Sequence, residues 1–529
     1  MWSKYRALVP RFAADLAIDR PDQIAIRDPL RALGWAEVDD VLNRVANRLG
    51  PAVDLGVHRR VAVFAENAVE TALAHLGALL GGASSVPVNF HLTATEAAFV
   101  LADSDTRVLF VGPETAERGV AAAREAGVPT VVGWNCARLT AVGEGVLDSV
   151  LDFEEWIAAG SPGAPSLDIV PLPNLLYTSG TTGRPKGTEL PPTMFAGGGT
   201  MAEHLDALKG HTFAAFGTHL VVGPMYHTGP LSGMRLLVAG VPSVVLARFD
   251  AEATLAAIQD HAIESTVMVP THFARLLALP DEVRSRYDVS SMRVVAHTGA
   301  KCPVEVKRSM IEWWGPVFYD AYGATEVGTT CSIDSRDWLA HPGSVGRAIP
   351  PFTAVVLDDD DNELPAGTEG RLFFIDATGR GIVYPNEPDK TAVANIAPGL
   401  FTLGEIGYVD ADGFVFITDR FSDMVVSGGV NLYPAEAEQV LIAHPGVADV
   451  ACIGVPHGEM GEEMKALVIA ADPATAPAPA ELLAWCRERL SHYKCPRTLE
   501  YVDDLGRNTM GKINKRTLRA PYWEPVTGR

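Results

Sequence analysis

Two apolar rhythms run along the chain, and the change from one to the other divides it. Continuous β-branched runs alternate with segments whose apolar residues recur at three and four. RVAVFAEN (60–67) precedes VETALAHLGALL (69–80), and TRVLFVG (106–112) precedes ETAERGVAAAREAG (114–127). STVMVP (265–270) and RVVAHTG (293–299) continue the series, the second followed by PVEVKRSMIEWWG (303–315). Runs that are apolar on both faces and joined by helical patterns predict buried parallel strands with helices packed on them. The long uncharged stretch TALAHLGALLGGASSVPV (71–88) contains His75, a Gly-Gly pair and Pro87, and so reads as a helix, a turn and a strand start rather than a membrane span.

After about residue 350 the rhythm shortens. LPAGTEGRLFFI (364–375) and GYVDADGFVFITDR (407–420) read as hairpins with Ala-Gly and Asp-Gly at the turns. A small α+β pattern follows: PAEAEQVLIAH (434–444) helical, ADVACIGVP (448–456) and EMKALVIAA (463–471) strands, DPATAPAPA (472–480) a loop, and ELLAWCRERL (481–490) helical. The expected class is α/β. Residues 1–420 would form a large N-terminal domain of parallel-sheet αβα layers with a small β-barrel-like part. Residues 421–529 would form a small, mobile α+β domain of a usual size.

Composition narrows the function. With 43 Lys and Arg against 65 Asp and Glu, the formal charge of −22 argues against a nucleic-acid partner. The six cysteines form no C-x-x-C and no zinc spacing, as expected of incidental thiols in a reducing compartment. The N-terminal MWSKYRALVPRFAADLAIDRPD has charges throughout and no apolar core of a signal peptide, so a cytoplasmic protein without an integral membrane segment is expected. No G-x-S-x-G or H-E-x-x-H supports a hydrolase. The sequence is silent on assembly and leaves room for a homodimer.

The chemistry concentrates in LLYTSGTTGRPKGTEL (175–190). The apolar lead-in reads as a strand and the rest, through residue 190, as a loop: its glycines bring backbone N–H groups close to a ligand, with hydroxyls at Ser179, Thr181 and Thr182 and a cation at Lys186. This suits an anion with several oxygens, phosphate above all. It is not a Walker A loop, whose glycine and lysine are spaced differently.

YTSGTTGRPKG (177–187), PMYHTG (224–229), YGATE (322–326), a Gly-Glu at 404–405, Asp-Arg at 419–420, SGGVNLYP (427–434) and NTMGK (508–512) occur in that order. This order resembles the core motifs of the adenylate-forming superfamily: acyl-CoA synthetases, peptide-synthetase adenylation domains and luciferases. The resemblance spans nearly the whole chain, and the region from HTGAKCP to HPGSVGRA is most similar to the acyl-CoA synthetase branch. It implies two half-reactions: a carboxylate attacks the α-phosphate of ATP to give acyl-adenylate, then the CoA thiol displaces AMP.

The resemblance also implies roles. Thr178, Ser179, Gly180, Thr181, Thr182, Gly183 and Lys186 would wrap the phosphates. Glu326, with Thr181, would hold Mg²⁺ there. Gly299, Ala300, Lys301, Asp320, Ala321, Gly323, Ala324 and Thr325 would join the nucleotide contacts, and Tyr322 would face adenine. His227 would gate the carboxylate. Lys512 would neutralise charge developing at the α-phosphate. Arg420 and Glu405 would complete the nucleotide site. Ser427, Gly428 and Gly429 would lie along the CoA arm once the small domain rotated about a hinge at Ser422.

One element departs from the family pattern. Phe401, Thr402, Leu403, Gly404 and Glu405 stand where an aromatic, a base and T-G-D are usual. Glu405 keeps the charge that grips the ribose but adds a methylene, a displacement of up to about 1.5 Å. Val430 stands where glutamate is common. Two readings follow: both half-reactions intact through local compensation, or an enzyme that mainly joins a preformed acyl-adenylate to CoA. A luciferase-like oxygenase and a non-catalytic nucleotide-binding protein are the other classes. A peptide-synthetase loading module is disfavoured because no carrier segment follows before Arg529. Glycine and small residues around PMYHTGPLSGM and HTGAKCP suggest room for a bulky apolar acid, fatty or polycyclic.

Overall fold

A computed structural model describes residues 12–136, 150–178, 185–191, 194–195, 197–299, 302, 304–358, 360–383, 391–392, 394–420, 425–432, 434–506, 513 and 515–523, with Thr178 and Arg420 described by their backbone. Among these residues the strands form one 15-stranded sheet, two five-stranded sheets and one two-stranded hairpin.

The first sheet is parallel throughout, in the order Ser84–Val88, Arg60–Phe64, Thr106–Val111, Thr130–Gly133 and Leu151–Asp152. Every residue of Arg60–Phe64 is buried, as a continuous apolar run predicts. The helix Val69–Leu80 is buried on all sides and spans the 12 residues expected from the sequence. Such a helix has no solvent face, so its polar groups need partners. Glu70 pairs with Arg31 at 2.9 Å, and His75 Nδ1 meets Ser85 Oγ at 2.9 Å. A side chain at Gly77 would overlap Val45, so this glycine sets how closely the helix Trp35–Arg48 approaches.

The second sheet holds 15 strands, 14 of them along one hydrogen-bonded path and Phe352–Leu357 off it, paired with Gly370–Asp376. Ser243–Val245, His219–Val221, Ser265–Met268, Val294–His297 and Phe318–Ala324 run parallel. From Gly328–Asp334 onward the pairing is antiparallel, through Gly346–Ala348, Phe414–Arg420, Glu405–Val409 and Gly370–Asp376. The hairpin strands of the barrel-like part are thus hydrogen-bonded onto the parallel layer. The Asp-Gly hairpin is as expected, with Gly413 at φ +82. The other expected hairpin is corrected: Gly370–Asp376 pairs with the preceding Phe352–Leu357, and the Ala-Gly at 366–367 lies in the connection between them.

The third sheet is small. Val447–His457 and Gly461–Ala470 form a long hairpin, flanked by Val425–Ser427, Val430–Leu432 and Thr498–Tyr501. The helices Pro434–Ile442 and Pro479–Arg487 and the strand cover a core that includes Leu441, Val450, Cys452, Val468 and Leu482. Among the described residues no helix is long and apolar enough to cross a membrane.

Candidate active site

The parallel strands of the second sheet fix the position of a cleft. Val221, Met268 and His297 end their strands at one edge; the chain leaves the first through Gly223–His227, the second through Val269 straight into the helix Pro270–Leu277, and the third through Thr298–Gly299. Ligands collect at such carboxyl ends. The cleft there encloses about 2330 Å³ and reaches the small sheet. Its walls carry Gly299, Asp320, Ala321, Tyr322, Gly323, Ala324, Thr325, Glu326, Glu405, His227, Gly428 and Gly429, so motifs scattered over two hundred residues meet in one cavity.

Tyr322 lies on Phe318–Ala324, with its carbonyl accepting from Thr330 Oγ1 at 3.2 Å. The turn after it is tight: a side chain at Gly323 would overlap the Gly328 carbonyl, so only glycine fits this crossing. Glu326 follows on that turn; its backbone carbonyl accepts from Arg380 Nη1 at 3.2 Å, and the residue lines the cleft. A single hard carboxylate suits Mg²⁺ that arrives with phosphates and water as its other ligands.

Asp320 reaches beneath this wall. Its Oδ2 lies 3.1 Å from Lys307 Nζ and 3.5 Å from His297 Nε2. Burial pushes the Asp320 carboxyl up to about 6 and lowers Lys307 from its ordinary value, while each partner's charge opposes the other's shift. The expected nucleotide contact therefore has its carboxylate already engaged by a buried lysine, which braces the strand.

His227 is the N-cap of Thr228–Met234 and faces the cleft, its ring 4.3 Å from that of Tyr226. Desolvation, followed by the charge of His91, pushes its imidazole down to about 4. It is neutral at physiological pH and suited to steering a carboxylate by hydrogen bonding. Sequence reasoning missed the residue that fixes this loop. Asn67, 4% exposed, accepts from Met225 N at 2.8 Å and donates to the carbonyls of Gly223 (2.9 Å) and Leu246 (3.1 Å). A polar residue just past the end of a buried strand was the available signal.

The phosphate-loop candidates Ser179, Gly180, Thr181, Thr182 and Gly183 lie outside the described residues, as do Ala300, Lys301, Ser422 and Lys512. The roots of the loop are described. Leu175–Thr178 and Lys186–Glu189 pair antiparallel, with Thr178 opposite Lys186. The segment after Pro185 is therefore a strand rather than the loop read from its glycine. Lys186 stands at the root and is not among the cleft-lining residues.

Glu405 opens the strand Glu405–Val409, is 5% exposed, and stands in register with Arg420. Thr402, also on the cleft wall, has its hydroxyl engaged by the main chain: its Oγ1 donates to the Leu372 carbonyl at 2.8 Å and accepts from Gly404 N at 2.9 Å. Across the cleft, Gly428 and Gly429, both at positive φ, form the turn that enters from the small sheet. A Cβ on Gly429 would sit 3.2 Å from Val269, and one on Gly299 would sit 3.6 Å from the Gly429 carbonyl. Ser427 is the exception among the CoA candidates: it is buried in the small sheet, paired with Val430 and Gly461, and is absent from the cleft wall.

Among the described residues, four polar contacts fasten the small sheet's unit to the large one. Glu96 receives Ser491 Oγ at 2.5 Å and Lys494 Nζ at 3.3 Å, and Lys494 also meets Glu436 at 2.8 Å. Asn89 Nδ2 donates to Tyr493 OH at 2.7 Å, and Arg275 pairs with Glu459 at 2.7 Å.

Residues 15–378 match the family described as AMP-binding enzyme, and residues 436–512 match the AMP-binding enzyme C-terminal domain. The chain is 34% identical over 482 residues to a 3-[(3aS,4S,7aS)-7a-methyl-1,5-dioxo-octahydro-1H-inden-4-yl]propanoyl:CoA ligase of Rhodococcus jostii, covering 87% of this chain and 88% of that one. It is 34% identical over 511 residues to a feruloyl-CoA synthase of an Amycolatopsis species, covering 95% and 96%. Among solved structures, the amide bond synthetase McbA of Marinactinospora thermotolerans superposes with a TM-score of 0.78 at 25% identity, over 97% of this chain and 99% of that one.

Proposed function

Since the chain belongs to the AMP-binding enzyme family and is an AMP-forming acid–CoA ligase, we propose that its structure holds the pose of the second half-reaction, on a bulky cyclic or aromatic acid. The observation that carries this is the Gly428–Gly429 turn, seated against Val269 and Gly299 in the cavity that also holds Tyr322, Glu326 and His227. Backbone without side chains at this point leaves a slot for a narrow thiol-bearing arm. The relatives' substrates, a fused-ring propanoate and a ferulate, support the acid class.

In this reading residues 1–420 and 421–529 are the two moving parts and Ser422 is the hinge. The loop from Thr178 to Lys186 holds the phosphates of ATP, and Glu326 with Thr181 holds Mg²⁺, which supplies charge neutralisation during displacement at phosphorus. Neutral His227 orients the carboxylate. Lys512 balances charge at the α-phosphate when the small part turns inward; in the present pose Gly428 and Gly429 stand at the cleft. Both half-reactions operate, with Glu405 serving the ribose from a strand end placed for the longer side chain. Free thiols at six positions, five of them buried, support a reducing cytoplasmic setting. Light scattering distinguishes a homodimer from a monomer.

The test is a panel of cyclic, aromatic and fatty acids, each supplied with ATP, Mg²⁺ and CoA and again as its synthetic adenylate, reading AMP and thioester. CoA-dependent AMP release with a cyclic or aromatic acid is the expected result. Thioester from adenylates alone, with no ATP–pyrophosphate exchange, would favour the adenylate-consuming reading that the Glu405 substitution suggests.

A further inference from the structure

The helix Thr228–Met234 runs from His227 into the turn Arg235–Leu237, and this turn buries a cation. Arg235 is 4% exposed. A guanidinium offers five N–H donors. Nη1 donates to the Met194 carbonyl at 3.3 Å and Nη2 to Ser232 Oγ at 3.1 Å; Nε is buried with no acceptor. No carboxylate forms an ion pair with Arg235 among the described residues. Its surroundings are the Phe195 ring, 5.7 Å away, and the imidazoles of His75, His204 and His211, all of which its charge helps to keep neutral. Burial lowers the guanidinium to about 10, which leaves it charged at neutral pH. A buried cation without a counter-charge is unfavourable unless something else receives its field.

Both acceptors of Arg235 lie on the cleft wall. Met194 and Ser232 line the cavity with Phe213 and Gly229, one helical turn beyond His227. The Ser232 oxygen is occupied by the guanidinium, so its own hydrogen has to be donated elsewhere, and among the described residues no acceptor takes it. A hydroxyl that accepts from a cation is a polarised, strengthened donor. Ser232 stands on a cavity wall shared with Phe213, Gly229, Pro230 and the imidazole of His211.

We propose that Ser232 and Arg235 form an oxygen-reading subsite in the acyl channel. The acid would then have an apolar body and one acceptor oxygen, a ring carbonyl or an aryl oxygen, at the end remote from its carboxylate. This rests on the ligase reading and sharpens it: an acid that is apolar to its tip leaves the polarised hydroxyl and the cation behind it unanswered.

The experiment uses matched acids that differ only at the tip: 3-(4-oxocyclohexyl)propanoic against 3-cyclohexylpropanoic acid, and 4-methoxycinnamic against 4-methylcinnamic acid. The expected preference for the oxygenated member of the better-fitting pair is roughly tenfold to a hundredfold in kcat/KM. Ser232→Ala should bring that ratio to within about twofold of one, and Arg235→Lys, checked for folding by circular dichroism, should leave an intermediate ratio. A wild-type ratio near one in both pairs, or a preference that survives Ser232→Ala, would overturn the subsite. The same pairs as non-reactive acyl-sulfamoyl adenosines, titrated by calorimetry, give the ratio independently of turnover. Discrimination there without thioester formation would sink the ligase reading and leave the subsite standing.

Discussion

Glu96→Gln should separate the two half-reactions. Glu96 sits in the first turn of Ala94–Asp103, where its carboxylate accepts from Thr93 N at 2.9 Å as a capping box. The same carboxylate receives Ser491 Oγ and Lys494 Nζ from the small unit, and its side chain is 13% exposed. Burial raises the carboxyl, and Lys494 with the hydrogen bonds from Ser491 and Thr93 more than reverses this, so the group is held below its ordinary value. The sign follows from linkage: the contact is present above the ordinary glutamate value and is lost as pH falls through the lower, folded one. Glutamine keeps an oxygen for the cap but removes the charge. A charge-assisted hydrogen bond contributes about 1.5–3 kcal/mol, so the pose loses roughly tenfold to 150-fold in population. Lys494 retains Glu436, which limits damage to the small unit's own fold. The assay is paired: thioester formation from synthetic acyl-adenylate, and ATP–pyrophosphate exchange with the same acid. Thioester formation should fall by about tenfold or more, exchange should hold or rise, and the acid-side decline of thioester formation should flatten. Equal loss in both assays, or no loss in either, would refute the assignment of this contact to one pose.

Glu405→Asp should weaken ATP use by roughly tenfold to a hundredfold in kcat/KM, because the proposed ribose contact loses up to about 1.5 Å of reach; a gain would favour the adenylate-consuming reading. Chelation of Mg²⁺ with EDTA should abolish ATP-driven turnover and spare thioester formation from adenylate, read by AMP and thioester release respectively. Gly77→Ala should destabilise the protein by about 1–3 kcal/mol, because a Cβ there overlaps Val45 between two packed helices, with thermal unfolding as the measurement.

Much of this fold is written in short-range pattern. Val69–Leu80 needed only its own apolar continuity, and the strands Arg60–Phe64 and Ser265–Met268 their β-branched runs. The first late hairpin was misread because its partner strand, Phe352–Leu357, lies across a connection longer than a turn, and local punctuation at Ala-Gly says nothing about that pairing. Lys186–Glu189 was read as loop because its glycine outweighed the pairing with Leu175–Thr178, which only tertiary contact reveals. At the site, the motif residues Tyr322, Glu326, His227, Gly428 and Gly429 could be named from the chain and do share the cleft. Ser427 could not be separated from its glycines, since alternate residues of a strand face opposite ways and the register was unknown. Asn67 and Glu96 were invisible because each acts through partners distant in sequence, and Lys307 and Arg235, though near Asp320 and Ser232 along the chain, are isolated polar residues that carry no periodic signal.

The glycine turn at the cleft has a consequence for redesign. One side of the gap it forms is main chain, and no substitution at Gly428 or Gly429 leaves it unblocked: the first would meet Met460, and both stand at positive φ. On the opposite side, next to Gly299 and Thr271, the nearest side chain to Gly429 is the isopropyl group of Val269. The bore of the passage is therefore adjustable from one bank alone, and trimming that valine to alanine is the least disruptive way to admit a stouter nucleophile than the natural thiol.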